Sequence, residues 1–362
     1  MLTVAIFAVS AMVGAFSSVA TTATPRATRI VMQDRSAQNA LAAFLSAFIY
    51  AIVSLVALSA LSYGPLGRLL LFTGYSLIIV WVLVSFIRWV DQVSKLGRMN
   101  DTIRRVEEAC SGAFTDPAIS GNLGARPASD VGAHGPRIFA DAVGYVQHID
   151  MEQLHKTMET QGTKLRLLVR PGAFMDRHRP LAVVLGSTRL GEDILGTLSS
   201  AFTIGDERQV ENDPRCGLLM LAEIADRALS PAVNDPGTAI AVMGAQLRLL
   251  TKWTDSRLEA TECRYPSLEA PALDAVDLLE DAFNPIARDG AGIYEVGVRL
   301  QKALLALRHL GDPELSAAAS LHSRLALEQA LRKLPTDYHK EKMQHFASLL
   351  EDPQARPGAA DS

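Results

Sequence analysis

The first hundred residues alternate long apolar runs with short basic connectors. No charged side chain occurs in residues 1–25, 36–67 or 69–87. A helix that crosses a bilayer needs about 20 consecutive, mostly apolar residues. We therefore expect three membrane spans, at about 2–23, 40–62 and 69–87, with the lipid bilayer as the first partner of the chain.

The charges of the connectors predict the orientation of these spans. Basic residues cluster between the first two runs and again after the third, and basic connectors favour the cytoplasmic side. This pattern predicts a multi-pass protein of the cell (inner) membrane with a cytoplasmic C-terminal domain. A secretory signal peptide is the alternative for the first run, because Ser18-Val19-Ala20 resembles a cleavage site. The basic residues are Arg26, Arg29, Arg35, Arg88, Lys95, Arg98, Arg104 and Arg105.

The first apolar run differs from the other two because it is rich in small residues. Small side chains let helices approach closely in lipid. We expect a homo-oligomer, in which this helix either packs against its copies or lines a pore. No Asp, Glu, Lys, Arg or His lies in the three runs, which disfavours a transporter with an ion relay. The small residues include Ala5, Ala8, Ser10, Ala11, Gly14, Ala15, Ser17, Ser18 and Ala20.

The rest of the chain is predicted to be an α+β domain behind a linker. Charged residues at helical spacing extend the membrane region as a juxtamembrane helix to residue 109. Residues 110–136 are rich in Gly and Pro and predict a flexible linker. The soluble domain is expected at 137–352, with a small, mostly antiparallel β unit at 137–205 and a helical bundle at 206–352. Residues 353–362 are expected to be a disordered tail.

The helical part shows clear start signals. Asp213-Pro214 and Asp235-Pro236 each place a capping carboxylate before a proline at the first helical position. Strands are expected at about 144–149, 164–169 and 181–185, around a short helix at 151–159. The predicted helices span 214–229, 236–253, 270–283, 292–310, 313–334 and 336–351.

Composition narrows the class of function. With 49% hydrophobic residues and a mean hydropathy of +0.15, the chain is more apolar than an ordinary soluble enzyme. Its net charge of −4 and scattered basic residues argue against a nucleic-acid partner. Three separated cysteines favour neither a disulfide framework nor a metal site. No common catalytic signature occurs, so the sequence assigns no catalytic residue, metal or cofactor.

One polar stretch has the potential to carry chemistry. Three interpretations stay open for it: a structural network of ion pairs among Glu207, Arg208 and Asp226, an anion site at the paired helix starts, or catalysis. A buried charge must be paired, which favours the first interpretation. The candidate ligand-binding residues are Glu207, Arg208, Asp213, Asp226, Arg227, Ser230, Asn234 and Asp235.

The order of several motifs resembles a bacterial family of predicted membrane proteins known as domain of unknown function 2254. The resembling segments are 144–150, 169–174, 204–208 with Asp213-Pro214, and above all Arg227 to Ala239. The resemblance implies a membrane protein without an established activity. It also implies an additional first span, so this chain is expected to be a shortened member. A further departure is Ala173, where the family pattern carries an acidic residue.

These observations favour a non-enzymatic, oligomeric membrane protein with a cytosolic domain that binds a ligand or partner and forms or regulates a pore. The alternative is a membrane-tethered enzyme with a polar site around Asp226, Arg227, Asn234 and Asp235. The small-molecule ligand is not identified by the sequence.

Overall fold

The computed structural model describes residues 6, 10, 13–14, 24–32, 35–60, 64–95, 99–129, 132, 134–186, 190–259 and 263–351. Contacts divide the chain into two compact units, residues 1–105 and 106–362. The coarse prediction is confirmed, since the protein is mostly helical with some sheet. Each unit is described by itself below.

Among the described residues, the first unit contains a short polar helix and two long apolar ones. They are α1 (Pro25–Met32), α2 (Arg35–Ala60) and α3 (Pro65–Lys95), followed by α4 (Met99–Thr115), which runs into the second unit. Within α3, the segment Pro65–Arg88 has a mean hydropathy of 2.3 and is almost entirely exposed. It is long and apolar enough to cross a bilayer.

The other two predicted spans have weaker support. In α2 the strongly apolar part is shorter, Ala42–Ala57. This helix packs on α3, where the rings of Phe44 and Phe86 lie 6.2 Å apart. The first predicted span lies outside the described residues except for 6, 10, 13 and 14, so the three-span arrangement stays a prediction.

The second unit opens with a β-rich part built on two sheets. A five-stranded sheet has the order β1-β8-β4-β6-β2, and a three-stranded antiparallel sheet has the order β5-β3-β7. Buried side chains such as Val146, Leu165 and Leu181 form one core between these sheets and their helices. The strands are β1 (Ala125–Pro127), β2 (Arg137–Phe139), β3 (Gly144–Ile149), β4 (Lys164–Leu167), β5 (Phe174–Met175), β6 (Pro180–Leu185), β7 (Phe202–Gly205) and β8 (Tyr265–Ala270).

Three short helices accompany these strands, and a bundle of longer helices follows. Trp253 is fully buried in the bundle, and its indole N–H donates to the carbonyl of Ser120 at 3.0 Å. The short helices are α5 (Pro117–Ser120), α6 (Met151–Thr160) and α7 (Glu192–Ser200). The bundle helices are α8 (Pro214–Leu229), α9 (Pro236–Glu259), α10 (Ala275–Asp289), α11 (Tyr294–Arg308), α12 (Pro313–Lys333) and α13 (Asp337–Ser348).

The segment predicted as a flexible linker is structured over most of its length. Helix α4 continues to Thr115, and Cys110, Ala113 and Phe114 on it are buried. Residues 116–127 then form α5, a turn and β1. The Gly and Pro residues are used in caps and turns here. Gly124, for example, has φ +70°, a backbone conformation that favours glycine. Burial of the apolar residues between them explains the order.

The predicted succession of a β unit and then a helical bundle is corrected at β8. This strand comes from the part expected to be helical, yet it lies between β1 and β4 and pairs with both in parallel. Pro266 within the strand weakened its sequence signal. The helix expected from residue 270 therefore starts at Ala275, after the capping residue Asp274. The bounds 214–229 agree with the prediction.

Candidate functional site

The start of α8 is fixed by a buried aspartate. Asp213 is 2% exposed and caps the helix by accepting from the backbone N–H of Cys216 at 3.2 Å. Arg208 donates to the same carboxylate from Nε at 2.6 Å and from Nη2 at 3.0 Å. Burial lowers the pKa of Arg208, but the hydrogen bonds and charge of Asp213 outweigh it and raise the pKa. Asp213 is thus a saturated structural carboxylate.

A Pro-Gly turn lies directly against this carboxylate. Gly172 has φ +92°, and a Cβ added there would lie 2.1 Å from Oδ2 of Asp213. The turn is held on β3, because Gly172 N–H donates to the carbonyl of Val146 at 2.7 Å and Val146 N–H donates to Ala173 at 2.9 Å. Glycine is therefore required at 172 by both conformation and space.

Arg170, two residues before that glycine, joins three loops. Its guanidinium donates to the carbonyls of Gly121 and Pro271 at 2.7 Å each, and also to the carbonyl of Ile119. Burial lowers the pKa of Arg170 to about 10, against the opposing charge of Asp213. These hydrogen bonds leave a buried cation whose acceptors are neutral carbonyls.

These residues surround a cleft of about 380 Å³, which we call the arginine cleft. Its volume falls within the range of small-molecule sites, about 300–1,000 Å³. It lies where the β-rich part meets the starts of α8 and α10. The charged side chains that line it are Arg170, Arg179, Arg208, Arg215, Asp213, Asp274 and Asp277.

The four arginines of the cleft differ in how far they are neutralised. Arg215 is held by two carboxylates: its Nε donates to Asp281 at 2.5 Å, and its Nη1 donates to Asp277. Arg208 is held by Asp213. Arg179 is exposed and donates from Nη1 to the carbonyl of Phe174 at 2.9 Å. Arg170 and Arg179 are thus the two arginines of the cleft whose guanidinium hydrogen bonds go to backbone carbonyls.

A second cleft of about 280 Å³ adjoins the first. Pro171 and Asn212 line both, so the two clefts meet at these residues. The second cleft carries carboxylates instead of arginines, from Asp150 and Glu152. Its remaining lining is largely apolar and includes Ala118, Ile119, Leu123, Ile149, Met151 and Tyr265. We call it the acidic cleft.

Asp226 lies near the other end of α8. Burial and then the neighbouring Asp289 raise its pKa to about 6, although Arg288 acts in the opposite direction. Its Oδ2 is 3.5 Å from Nη2 of Arg288, whereas Oδ1 is buried without a hydrogen-bond partner. The carboxylate of Asp226 is therefore poorly supplied with hydrogen bonds, unlike that of Asp213.

The other predicted residues at this end make local hydrogen bonds. Ser230 donates from Oγ to the carbonyl of Arg227 at 2.7 Å. Asn234 has φ +50° and donates from its N–H to Ser230 at 2.9 Å. Asp235 accepts from the N–H of Thr238 at 3.1 Å and from its hydroxyl at 2.6 Å. These bonds build the turn and the start of α9.

The structure thus separates the candidate residues into two groups. Asp213 and Asp226 are about 20 Å apart along α8, at a rise of 1.5 Å per residue. Of the eight candidates, only Arg208 and Asp213 line the arginine cleft. Glu207 is exposed, and its carbonyl accepts from the side-chain amide of Gln147 at 2.8 Å. The interpretation that Arg208 and Asp226 share an ion-pair network is not supported, because each has another partner.

The two helix starts that were considered as a pair, at Asp213 and Asp235, lie at opposite ends of α8. The start of α9 lies beside the end of α8, whereas the start of α10 meets the start of α8 at the arginine cleft. Asp274 caps α10 by accepting from Val276 N–H at 2.7 Å. Sequence reasoning missed Asp274, Asp277, Arg179 and Arg215. Only the capping position of Asp274 gave a local signal.

Among the described residues, no group of three or more His, Cys, Asp and Glu side chains is arranged to hold a metal ion. Ala173 lines the arginine cleft, so the acidic residue that the resemblance implies at this position would have made the cleft more negative. In this chain the lining carries four arginines and three aspartates, and Asp281 holds Arg215 from outside the lining.

The chain contains a helix that is long and apolar enough to cross a bilayer, and an α+β unit that carries a polar cleft. These features are those expected of a membrane protein. The chain belongs to the family described as predicted membrane protein (DUF2254), whose model matches residues 1–306. That description names no activity. Neither the curated proteins nor the solved structures include a match to the chain.

Proposed function

We propose that this protein is a non-enzymatic membrane protein whose second unit binds a small anionic ligand in the arginine cleft. The observation that carries the proposal is the set of four arginines around a cavity of about 380 Å³. Guanidinium groups bind carboxylate and phosphate groups through paired, charge-assisted hydrogen bonds. The helix starts contribute little, because Asp213 and Asp274 already cap them.

Donor groups are available for such a ligand. An arginine has five N–H groups, and the bonds of Arg208 to Asp213 use two of them. Arg179 uses one for the carbonyl of Phe174. An anion between these two side chains would also offset the burial that lowers the pKa of Arg170. The carboxylates of the cleft oppose binding, so we expect a modest affinity for a simple anion.

Titration calorimetry of the detergent-purified full chain with inorganic phosphate tests this proposal. Arg179→Gln removes a charge from the cleft at an exposed site, so it should weaken binding about tenfold without unfolding the protein. Arg324→Gln, on the exposed side of α12, is the matched control and should bind like the parent chain. Equal affinities for all three proteins would contradict an anion site in this cleft.

The second unit lies in the cytoplasm in this proposal, and the first unit anchors it in the inner membrane. Support comes from the basic connectors around the apolar runs. Cys263 offers a direct test, because its thiol is exposed whereas Cys110 and Cys216 are buried. A membrane-impermeant maleimide should label Cys263 only after spheroplasts are permeabilised. Labelling of intact spheroplasts, absent in Cys263→Ser, would place the domain outside.

Homo-oligomerisation through the small-residue run, with ligand binding regulating a pore, is the finer part of the proposal. It is supported by small side chains such as Ser10 and Gly14 at the start of the chain. Single-particle imaging of the full chain tests it. A symmetric ring with this segment around its axis is the expected result. A monomer without an axial path would remove the pore from the proposal.

A membrane-tethered enzyme is the second candidate, and one observation favours it. Asp226 has a buried Oδ1 without a hydrogen-bond partner and a pKa raised to about 6, the condition of many general acids and bases. Asn234 and Asp235, its proposed companions, make turn-forming bonds instead. Cellular function that is abolished by Asp226→Asn in a stably folded protein would favour the enzyme. Unchanged function would count against it.

A further inference from the structure

The arginine cleft and the adjoining acidic cleft differ in chemistry. Both clefts include Pro171 and Asn212 in their lining. The first is lined by four arginines and three aspartates, and the second by Asp150, Glu152 and His148. Among the described residues that line the acidic cleft there is no lysine or arginine. A ligand that fills both would be anionic at one end and would donate hydrogen bonds at the other.

The acidic cleft also suits a flat apolar group. Its walls include Ile119, Leu123 and Met151, and its volume is about 280 Å³. The ring of Tyr265 forms another wall and is held in place by the ring of His155, at 5.7 Å between centroids, and by Arg264, at 5.5 Å from its centroid. These walls are fixed by packing, so they would limit the thickness of a bound group.

One carboxylate of the acidic cleft is well placed to accept hydrogen bonds from a flat group bound there. Asp150 caps α6 by accepting from the N–H of Gln153 at 2.9 Å, and this bond uses only Oδ1. Glu152, the second residue of the same helix, forms an ion pair with Lys156 at 3.0 Å on the surface. Asp150 is therefore the stronger candidate for contact with a ligand.

We infer that the ligand is a nucleotide, with its phosphate in the arginine cleft and its amino-bearing base in the acidic cleft. This inference rests on the proposed function, because the phosphate uses the same arginines. A base offers a flat ring and exocyclic amino groups, and a carboxylate accepts hydrogen bonds from such groups. A phosphorylated amine shares the charged ends but lacks the ring, so the two sources of this chemistry are separable by experiment.

The test is titration calorimetry on the detergent-purified full chain with four probes: inorganic phosphate, adenosine, adenosine monophosphate and phosphoethanolamine. Adenosine monophosphate should bind at least about tenfold more tightly than each of the other three, as expected for one added charge-assisted hydrogen bond and a buried ring. Tighter binding of phosphoethanolamine would overturn the nucleotide assignment. Equal binding of adenosine would overturn the placement of the phosphate.

Asp150→Asn sharpens the test because asparagine still caps a helix while the negative charge is lost. It should weaken binding of adenosine monophosphate about tenfold and leave binding of phosphate unchanged. Asp235→Asn, the same substitution at the cap of α9, lines neither cleft, so it is the matched control and should change neither. An unaltered affinity in Asp150→Asn would contradict the inference.

The two proposals fail in different ways. If phosphate binds and Arg179→Gln weakens it, but the nucleotide gains nothing over phosphate, the inference on the nucleotide is wrong and the anion site stands. If neither phosphate nor the nucleotide binds, the arginine cleft is not an anion site and both proposals fall.

Discussion

The two ends of α8 carry aspartates in opposite electrostatic conditions. Asp213, at the N-terminal end, receives a backbone N–H and two guanidinium N–H groups. Asp226, in the last turn, lies near Asp289 and Glu223, and one of its oxygens is buried without a partner. The helix dipole favours a carboxylate at the first end and disfavours one at the second. An aspartate thus stabilises α8 at its N-terminal end, whereas the same side chain destabilises the helix in its last turn.

This difference also bears on where a ligand binds. The saturated aspartate organises an arginine-lined cleft and is itself part of the scaffold. The strained aspartate lines neither the arginine cleft nor the acidic cleft. The carboxylate with the most perturbed pKa and the arginine-lined cleft therefore lie in different parts of the second unit.

Asp213→Ala should produce the largest effect on this comparison. It leaves Arg208 largely buried without its partner and removes the cap of α8, so we expect a loss of about 3–5 kcal/mol in the free energy of unfolding. Thermal unfolding of the purified full chain, monitored by near-UV circular dichroism, measures it. Asp213→Asn keeps the cap and should lose less. A loss under about 1 kcal/mol for the alanine variant would show that the pair is not structural.

Gly172→Ala should produce the next largest loss of stability. The added Cβ would meet Oδ2 of Asp213 at 2.1 Å at a φ of +92°. Gly311→Ala is a matched control, because its φ is +88° but nothing lies within 4 Å. We expect about 1 kcal/mol of destabilisation at 311 from conformation alone and clearly more at 172. Equal shifts of the melting temperature in the two variants would contradict the close approach of the turn to Asp213.

Asp226→Asn should stabilise the protein near neutral pH. Because the pKa of Asp226 is raised from 3.8 to about 6, the native state keeps a proton that the unfolded chain has lost between these values. Stability therefore falls as the pH rises through this window, by about 1–2 kcal/mol after allowance for partial exposure. Melting temperatures measured from pH 4 to 8 should show the variant gaining over the parent above pH 6 and matching it near pH 4. Parallel curves of melting temperature against pH for the variant and the parent would contradict the raised pKa of Asp226.

Asp235→Ala should have the smallest effect. The carboxylate caps α9 through Thr238, and these hydrogen bonds lower its pKa. Loss of an exposed cap costs about 1 kcal/mol. Asp235→Asn should recover most of this loss, because asparagine is a good cap. A catalytic role would instead predict that both variants abolish cellular function with little change in melting temperature.

Local sequence signals predicted the elements around these sites well. The Asp-Pro start at residue 213 and the end at residue 229 were read directly from the chain, because caps and proline act over a few residues. The order of residues 110–127 and the insertion of β8 into the sheet were not predictable in this way. They depend on burial of Phe114 and on pairing with β4 across about a hundred residues.

The candidate site was predicted only in part for the same reason. Arg208 and Asp213 are close in sequence and were singled out together, whereas Arg170, Arg179 and Asp274 reach the cleft from other elements. In the sequence, Asp213 was recognised as a helix cap before Pro214, whereas Asp226 stood out as a charge among apolar helix residues. Their different environments arise from the hydrogen bonds that Asp213 receives and from the burial of Asp226 beside Asp289 on α10, a helix that the sequence does not place beside α8.

The most direct test of the central claim is a structure of the full chain determined with tungstate, an electron-dense oxyanion. The account predicts density for the anion within the arginine cleft, in hydrogen-bond contact with Arg179 and Arg208, and loss of that density in Arg179→Gln. An empty cleft under conditions where tungstate binds elsewhere on the protein would contradict the claim that this cleft is an anion site.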